Sequence, residues 1–437
     1  ALAVAPVMVS GYRTMRRRNR RRVRIGLTAL GLFVLVAVGG FAYSAARAAQ
    51  PLDYGVTSAK RGLDVANSAG QIGAAGYWTA AHNSFSKADN FLSNPIAKLA
   101  YAVPVLSQHA RLASVAADSG SSITGTAARA ATIAPYHRLR AADGTFDLER
   151  IASMEKPVRQ TAQAMVAARD DVDDQSSSWL LDPFRTRVDE YRDELVRAIP
   201  QAETALQAIE IAPEMLGGNG ERHYLVLFAN PAETRGLGGF IGAWAQLDAN
   251  DGHLELVRHG KMGELNDATD PATRKITGEP EFMRRYGHLQ PARFLQNISA
   301  SPDFPTVARV AEQLYPQAGG VDLDGVMYVD PTALAALLKL TGPVLAEGVP
   351  MPLTSKNAAE FLMHDQYIEV PGIDDRTDLL SNAAEATFDA LTHRELPALS
   401  TVTHALSPMM HGRNLMATVN DPEANRYLAE IGLTGAF

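Results

Sequence analysis

Residues 223–247 read HYLVLFANPAETRGLGGFIGAWAQL, and their reading decides the fold. His223 to Asn230 is nearly all apolar, too short for a helix and too apolar for a strand with one wet face. It reads as a core strand covered on both faces. The run from Pro231 to Gly239 carries an acid, a base and three glycines, after which Phe240 to Leu247 reads as a second strand. Asp251-Gly252 makes a hairpin turn into a third, Leu254 to Arg258. Gly325 to Val329 is another core strand, feeding Asp330-Pro331 as the cap and first turn of a helix to Leu340 that Gly342-Pro343 ends. Further helices are expected near Thr354–Met363, Arg376–Leu391 and Glu423–Ile431. Strands alternating with helices make residues 217–437 an α/β or α+β domain with a mixed sheet, set off by Gly217-Gly218-Asn219-Gly220. The start without Met and the close at Gly435-Ala436-Phe437 lead to the expectation that this domain is C-terminally incomplete.

Before that boundary, residues 47–216 read as helices with short polar breaks. In the clearest, Pro183 to Ile211, Asp182 is the expected N-cap, and Val188, Tyr191, Leu195, Ile199, Ala202, Leu206 and Ile209 form one apolar stripe. Pro200 is expected to kink this helix without ending it. Ile151, Met154, Val158, Ala162 and Met165 mark the helix before it, with Asp170 to Ser178 as the break between them. That acid run reads as a solvated loop, a cation site being the weaker alternative because alternating ligand spacing is absent. The region suits a bundle-like spacer or a surface for protein partners.

Further outward lies Ile25 to Ala46, IGLTALGLFVLVAVGGFAYSAA, 22 residues without a charge. At 1.5 Å per residue it spans about 33 Å, enough for a hydrocarbon core of about 30 Å. Eight arginines and no acid precede it in residues 1–24, which sets the N-terminus inside and the body extracytoplasmic. A cleaved signal peptide is the rival, with Ala46-Arg47-Ala48 as its cleavage site, but the run exceeds the usual apolar core of a signal. The net charge of −7 includes those arginines, so the rest is more acidic still, and nucleic acid is excluded as a partner. The absence of cysteine excludes disulfides, thiolate metal sites and cysteine nucleophiles. Arg outnumbers Lys 33 to 8, a bias of high-GC genomes.

Three places carry candidate chemistry. The loop Asn230 to Gly239 offers Asn230, Glu233, Arg235, Gly238 and Gly239, either as an anion cradle or as a tight turn in which Glu233 and Arg235 pair. It is not a P-loop, since no Gly-Lys-Ser/Thr follows. Asn297 to Pro305 offers Asn297 and Asp303, the latter as the cap of the helix bearing Val307, Val310 and Leu314, or as a metal ligand or general base. Asp374-Asp375-Arg376 opens a helix with an arginine that the helix dipole opposes, so either a bound anion or a local pair with a capping aspartate is expected. No histidine shows a recognised ligand spacing, and no GxSxG is present.

With these residues in place the chain resembles the bacterial family known as domain of unknown function 4012. The pieces that carry the likeness are Tyr224 to Asn230, Glu233-Thr234-Arg235 with Gly238 to Gly242, Ser301 to Pro305, and Asp324-Gly325-Val326 with Asp330-Pro331. It covers roughly Gly220 to the end, plus the layout of anchor and helices before it. More distantly, the plan is similar to that of the LytR–CpsA–Psr phosphotransferases. That resemblance implies a single-anchor α/β protein that moves a glycopolymer from a polyprenyl pyrophosphate carrier onto the wall, using Arg, Asp and Mg²⁺. Their paired-arginine motif before an Asp has no match here, as Ser301-Pro302-Asp303 carries no arginine.

The expectation is therefore an envelope protein that binds a phosphorylated, lipid-linked glycan. If it is catalytic, Arg235 neutralises phosphate charge in the transition state, Asp303 holds Mg²⁺ or acts as base, and Glu233 orients Arg235. Asn230, Arg235, Gly238, Gly239, Asn297 and Arg376 would hold the substrate. The alternative is a non-enzymatic scaffold whose helical half docks partners. Convergence of Arg235, Glu233, Asp303 and Arg376 favours the first, and their scattering the second.

Overall fold

The computed structural model describes residues 16–67, 74–133, 139–141, 143–177, 179–370, 372–394 and 399–436. Arg13, Ser178 and the side chains of Pro183, Asp374 and Asp375 lie outside the described residues. The chain divides into two compact units: Ala1–Gly62, Gly73–Arg129 and Pro157–Glu203 form one, and Leu63–Ile72, Ala130–Lys156 and Thr204–Phe437 the other.

The first unit is helical. Helix α1, Arg17–Asn67, is long and apolar enough to cross a membrane; an 18-residue window within it has a mean hydropathy of 2.3, and a signal sequence would pass the same test. It is followed by α2 (Ala74–Leu92), α3 (Pro95–Lys98), α4 (Leu106–Ile133), α5 (Leu148–Gln175) and α6 (Asp182–Met215). Small residues set the packing. Ala48, Ala88, Leu92 and Ala117 form one cluster, and the Phe85 ring lies against Gly55 and Gly120. Val188, Leu195 and Ile199 of the expected stripe are buried. The break expected at Asp170–Ser178 is shorter than the sequence suggests, because α5 continues to Gln175. Val172 is buried against Leu112 and Leu180 while the aspartates around it face solvent, so that run is a helix face.

The second unit is α+β, as expected. Strands β1 (Arg222–Asn230), β2 (Phe240–Asn250), β3 (His253–Lys261), β4 (Gly325–Val329) and β5 (Leu415–Val419) form one mixed sheet ordered β3-β2-β1-β4-β5. Only β1 and β4 run parallel, with Tyr224 opposite Gly325 and Phe228 opposite Val329. Asp251 and Gly252 have φ of 46° and 85°, as a primed hairpin turn requires. The register skips Gly242 between Ala243 and Ile241, a bulge that turns alternate side chains of β2 to opposite faces on either side of it.

Both faces are covered, which explains why β1 is apolar from Tyr224 to Ala229. Tyr224, Val226 and Phe228 meet α10 (Pro331–Thr341) and α11 (Ile373–His393) through Leu334, Leu338, Leu379 and Leu380. Leu225, Leu227 and Ala229 meet α9 (Phe304–Gln317) through Val307, Val310 and Leu314; two short helices, α7 (Met262–Asp267) and α8 (Pro280–Tyr286), precede it. The helix expected near Thr354–Met363 is shifted to Ala358–Glu360, a π-helical turn Phe361–Asp365, and Gln366–Glu369. Helix α12 (Leu399–His411) and strand β5 were not legible in advance, whereas α13 (Pro422–Glu430) was.

Candidate functional site

The parallel pair gives the sheet an edge where two strands end together. Asn230 closes β1 there and Asp330 follows β4, while β5 enters beside them through Arg413-Asn414. In open sheets, ligands bind in the crevice outside the carboxyl ends of strands.

At this edge Asn230 is buried and used in full view of the loop. Its Nδ2 donates to the Leu362 carbonyl at 2.9 Å and to the Tyr367 hydroxyl at 3.1 Å, and its Oδ1 accepts from the Ala232 N–H at 3.0 Å. The widened π turn presents the Leu362 carbonyl to Asn230. Tyr367 donates in turn to Glu233 at 3.2 Å, and Arg376 lies over its ring with 5.2 Å to the centroid. Burial first, then the Glu233 charge, pushes the Tyr367 hydroxyl up to about 12, so it stays a neutral donor. Tyr367 thus joins three residues singled out in the sequence, Asn230, Glu233 and Arg376. Nothing in the sequence marked it, because it comes from a helical segment 137 positions after Asn230.

Arg235 lies outside that cluster. It is exposed, donates to the Thr234 carbonyl at 2.9 Å, and sits over the Phe240 ring at 5.1 Å. It forms no ion pair with Glu233 among the described residues. The backbone around it is more informative. The Glu233, Leu237 and Gly238 N–H groups donate to Asn230, Ser299 and Arg235 carbonyls. Among the described residues, the N–H groups of Thr234, Arg235 and Gly236 have no acceptor within the protein. Three N–H groups without an internal acceptor, on exposed residues beside a guanidinium, offer donors to an anion. All three glycines have structural reasons, and a Cβ at Gly236 would collide with the Ala300 carbonyl oxygen. Gly238 has φ +135°, and a Cβ at Gly239 would come within 2.6 Å of the Asn230 carbonyl carbon.

Asp303 caps α9, its Oδ2 accepting from the Thr306 N–H at 3.1 Å and the Thr306 hydroxyl at 2.6 Å. Arg413 donates to the adjacent Pro302 carbonyl, and burial lowers its pKa against the opposing Asp303 charge. Asn297 donates to the Leu289 carbonyl at 2.7 Å and makes no bond to the Asn230 loop among the described residues. Helix α11 begins at Ile373 with Gly372 as its N-cap, and Arg376 donates back to the Val370 carbonyl at 2.9 Å. The capping roles weighed for Asp374 and Asp375 fall on side chains outside the described residues. Asp330 is the buried acid of this edge. It takes the Thr332 and Ala333 N–H groups at 2.8 and 2.9 Å and Asn414 Nδ2 at 2.7 Å, while burial raises its pKa.

The opposite edge holds a cavity of about 380 Å³ lined by Glu210, Glu214, Arg222, Asp324, Asp421 and Glu423, among others. Arg222 bridges Glu214 at 2.7 Å and Asp324 at 3.0 Å, so that its centre is a structural ion-pair bridge. Among the described residues, two sets bring ligand atoms within 4.8 Å of one another, Glu221-His223-Asp248 and Glu360-His364-Asp365. Asp303 is in neither. His223 was overlooked in the sequence. Its Nδ1 donates to Asp248 at 2.9 Å, and Gln246 and Tyr315 extend that contact into the core at 2.8 Å each.

Residues 219–367 match the model of a family described as "Protein of unknown function (DUF4012)". The resemblance read from the sequence therefore holds over that segment, which includes β1 to β4 and ends at Tyr367. No curated protein and no solved structure matches the chain. The likeness to LytR–CpsA–Psr proteins rests on sequence plan alone.

Proposed function

We propose that this chain is a membrane-anchored envelope protein whose sheet domain binds a phosphorylated ligand, of the polyprenyl-pyrophosphate glycan class, at the Asn230–Gly239 loop. One observation carries the reading: among the described residues, the Thr234, Arg235 and Gly236 N–H groups have no acceptor, and they lie beside the exposed Arg235 guanidinium. A phosphate seated there would gain charge-assisted hydrogen bonds that the loop cannot make with itself. Helix α1 is the anchor, and the exposed arginines before its apolar run keep the N-terminus inside and the body outside. A tether confines protein and lipid-borne ligand to the same surface.

Binding is favoured over phosphoryl transfer. Asp303 is engaged as a helix cap, and Glu233 faces Tyr367 instead of orienting Arg235. Mg²⁺ would enter with the pyrophosphate, as Mg²⁺ usually keeps waters and substrate phosphates as ligands. Arg235 and Asp303 lie outside the Tyr367 cluster that joins Glu233 and Arg376, and this scattering supports the second reading, a non-enzymatic scaffold with partners on the helical unit.

The test titrates the full chain in detergent with a short-chain polyprenyl pyrophosphate, with and without Mg²⁺. Arg235→Ala should weaken binding at least about tenfold, the loss expected when a charge-assisted contact of about 1.5–3 kcal/mol goes. No binding by the folded wild type would sink the ligand reading and leave the scaffold. Phosphate release on turnover would restore the enzyme.

A further inference from the structure

The connector between α2 and α4 is chemically odd for a surface turn. Residues 94–105 read NPIAKLAYAVPV, with Lys98 as the one charge. Connectors in water favour Gly, Asn, Asp and Ser. Here Ile96 is 57% exposed and Val105 43% exposed. Val105 also adopts φ +68°, closed by the Leu106 N–H donating to the Pro104 carbonyl at 2.9 Å, a strained turn for a β-branched residue.

A second apolar tip lies beside it in the same unit. The connector from α5 to α6 carries Trp179 at 67% and Leu181 at 66% exposure. His109 ties the two tips together. Its Nδ1 donates to the Val105 carbonyl at 2.9 Å, and its Nε2 accepts the Leu181 N–H at 3.0 Å.

The position of the first tip along α1 supplies the occupant. Asn94 Nδ2 donates to Ser44 Oγ at 3.0 Å, and a Cβ at Gly40 would come within 2.5 Å of Ile96 Cγ2. Ser44 and Gly40 both lie inside the uncharged run Ile25–Ala46. From Ala46 back to Gly40 is about 9 Å along a helix, within the 5–10 Å to which interfacial segments bury their apolar faces. Around this level, Arg47 lies over Phe91 at 5.3 Å and Arg111 over Tyr101 at 5.0 Å, the pairing of aromatic and cationic side chains that suits a headgroup zone.

We infer that these two tips, at Ile96–Val105 and Trp179–Leu181, enter the outer interface of the bilayer that α1 spans, fixing the helical unit on the membrane surface. The inference rests on the anchor reading of α1. Asp173 and Asp174 on α5 and the exposed Asp182 flank the second tip, so apolar burial and not attraction to anionic lipid drives the contact. Uncharged lipid suffices.

The chain has no cysteine, so single labels are clean. Ile96→Cys, Val105→Cys and Trp179→Cys, each in the full chain, would carry an environment-sensitive nitrobenzoxadiazole label in phosphatidylcholine vesicles. The quencher is a lipid with a nitroxide near the top of its acyl chain. Leu32→Cys reports the span, and Glu203→Cys, about 30 Å along α6 from Leu181, reports water. The labels at 96, 105 and 179 should be quenched about threefold or more above the Glu203 label, with blue-shifted emission. Quenching at Leu32 with the tips no different from Glu203 would overturn the inference and leave the anchor. An unquenched Leu32 would overturn the anchor, and the inference with it.

Discussion

The helical unit and the sheet unit solve the packing problem with opposite materials. In the helical unit, alanines and glycines let helices approach closely, and one ring, Phe85, fills the space that Gly55 and Gly120 leave. Its polar side chains pin helix to helix: Ser86 to Ser121 at 2.6 Å and Ser119 to Tyr191 at 2.9 Å. In the sheet unit, large side chains on both faces of β1 fill two continuous cores, and the charged and amide side chains of β1 itself sit at its ends. The first arrangement makes a stiff element with little to offer a ligand along its seams. The second leaves N–H groups and a guanidinium at an edge, where a ligand can reach them. The division explains why the candidate chemistry falls on the Asn230 loop while the proposed membrane contacts fall on helix ends.

The strongest way to break this comparison is to remove a ring that fills the small-residue seam on two sides. Phe85→Ala should cost about 3–5 kcal/mol, because glycines on either side cannot close over the cavity. If the units fold separately, calorimetry of the detergent-solubilised chain will show one transition lowered and the other unmoved. A single transition that shifts as a whole would mean that the two materials form one cooperative body.

The same contrast governs what the sequence disclosed. Strands β1, β2 and β4 were readable because burial on both faces demands an unbroken apolar run, and Asp330-Pro331 and Asp303 were readable as caps because capping is local. Strand β5, LMATV, is five residues long and carries a threonine, so only its pairing with β4 makes it a strand. The acid run at Asp170–Asp174 misled because one buried residue per turn, Val172, suffices to hold an exposed helix end. Within the site, Asn230 and Glu233 stood out by composition. Their partner Tyr367 did not, since its role is set by a tertiary approach that leaves no mark on neighbouring residues.

A milder test addresses the tight packing of the sheet unit. Glu312 on α9 is partly buried, and burial raises its pKa from the usual 4.5 to about 7, opposed by the Arg309 charge. The fold therefore favours the protonated acid. Its contribution is fully present below 4.5 and is lost as pH rises through about 7. Glu312→Gln should leave stability at pH 4 nearly unchanged and raise it at pH 8 by about 1–2 kcal/mol, the shift being discounted for partial solvent exposure. Denaturant melts at the two pH values check it. Equal effects at both would show that Glu312 is solvated, and that the core on this face ends short of it.

The smallest expected effect is the most informative about the edge. Tyr367→Phe keeps the ring under Arg376 and removes only the hydroxyl that receives from Asn230 and donates to Glu233. One lost bond is exposed and the other half-buried, and Asn230 keeps its bond to Leu362, so stability should fall by about 0.5–1.5 kcal/mol. If the N–H groups of residues 234–236 and Arg235 hold the anion, binding of the polyprenyl pyrophosphate should weaken by about threefold or less, well short of the Arg235→Ala loss. Equal losses in the two variants would move the recognition from the loop backbone to the Tyr367 cluster. Glu233 would then act on the ligand through the tyrosine, and the polar groups that matter at this edge would be the buried ones.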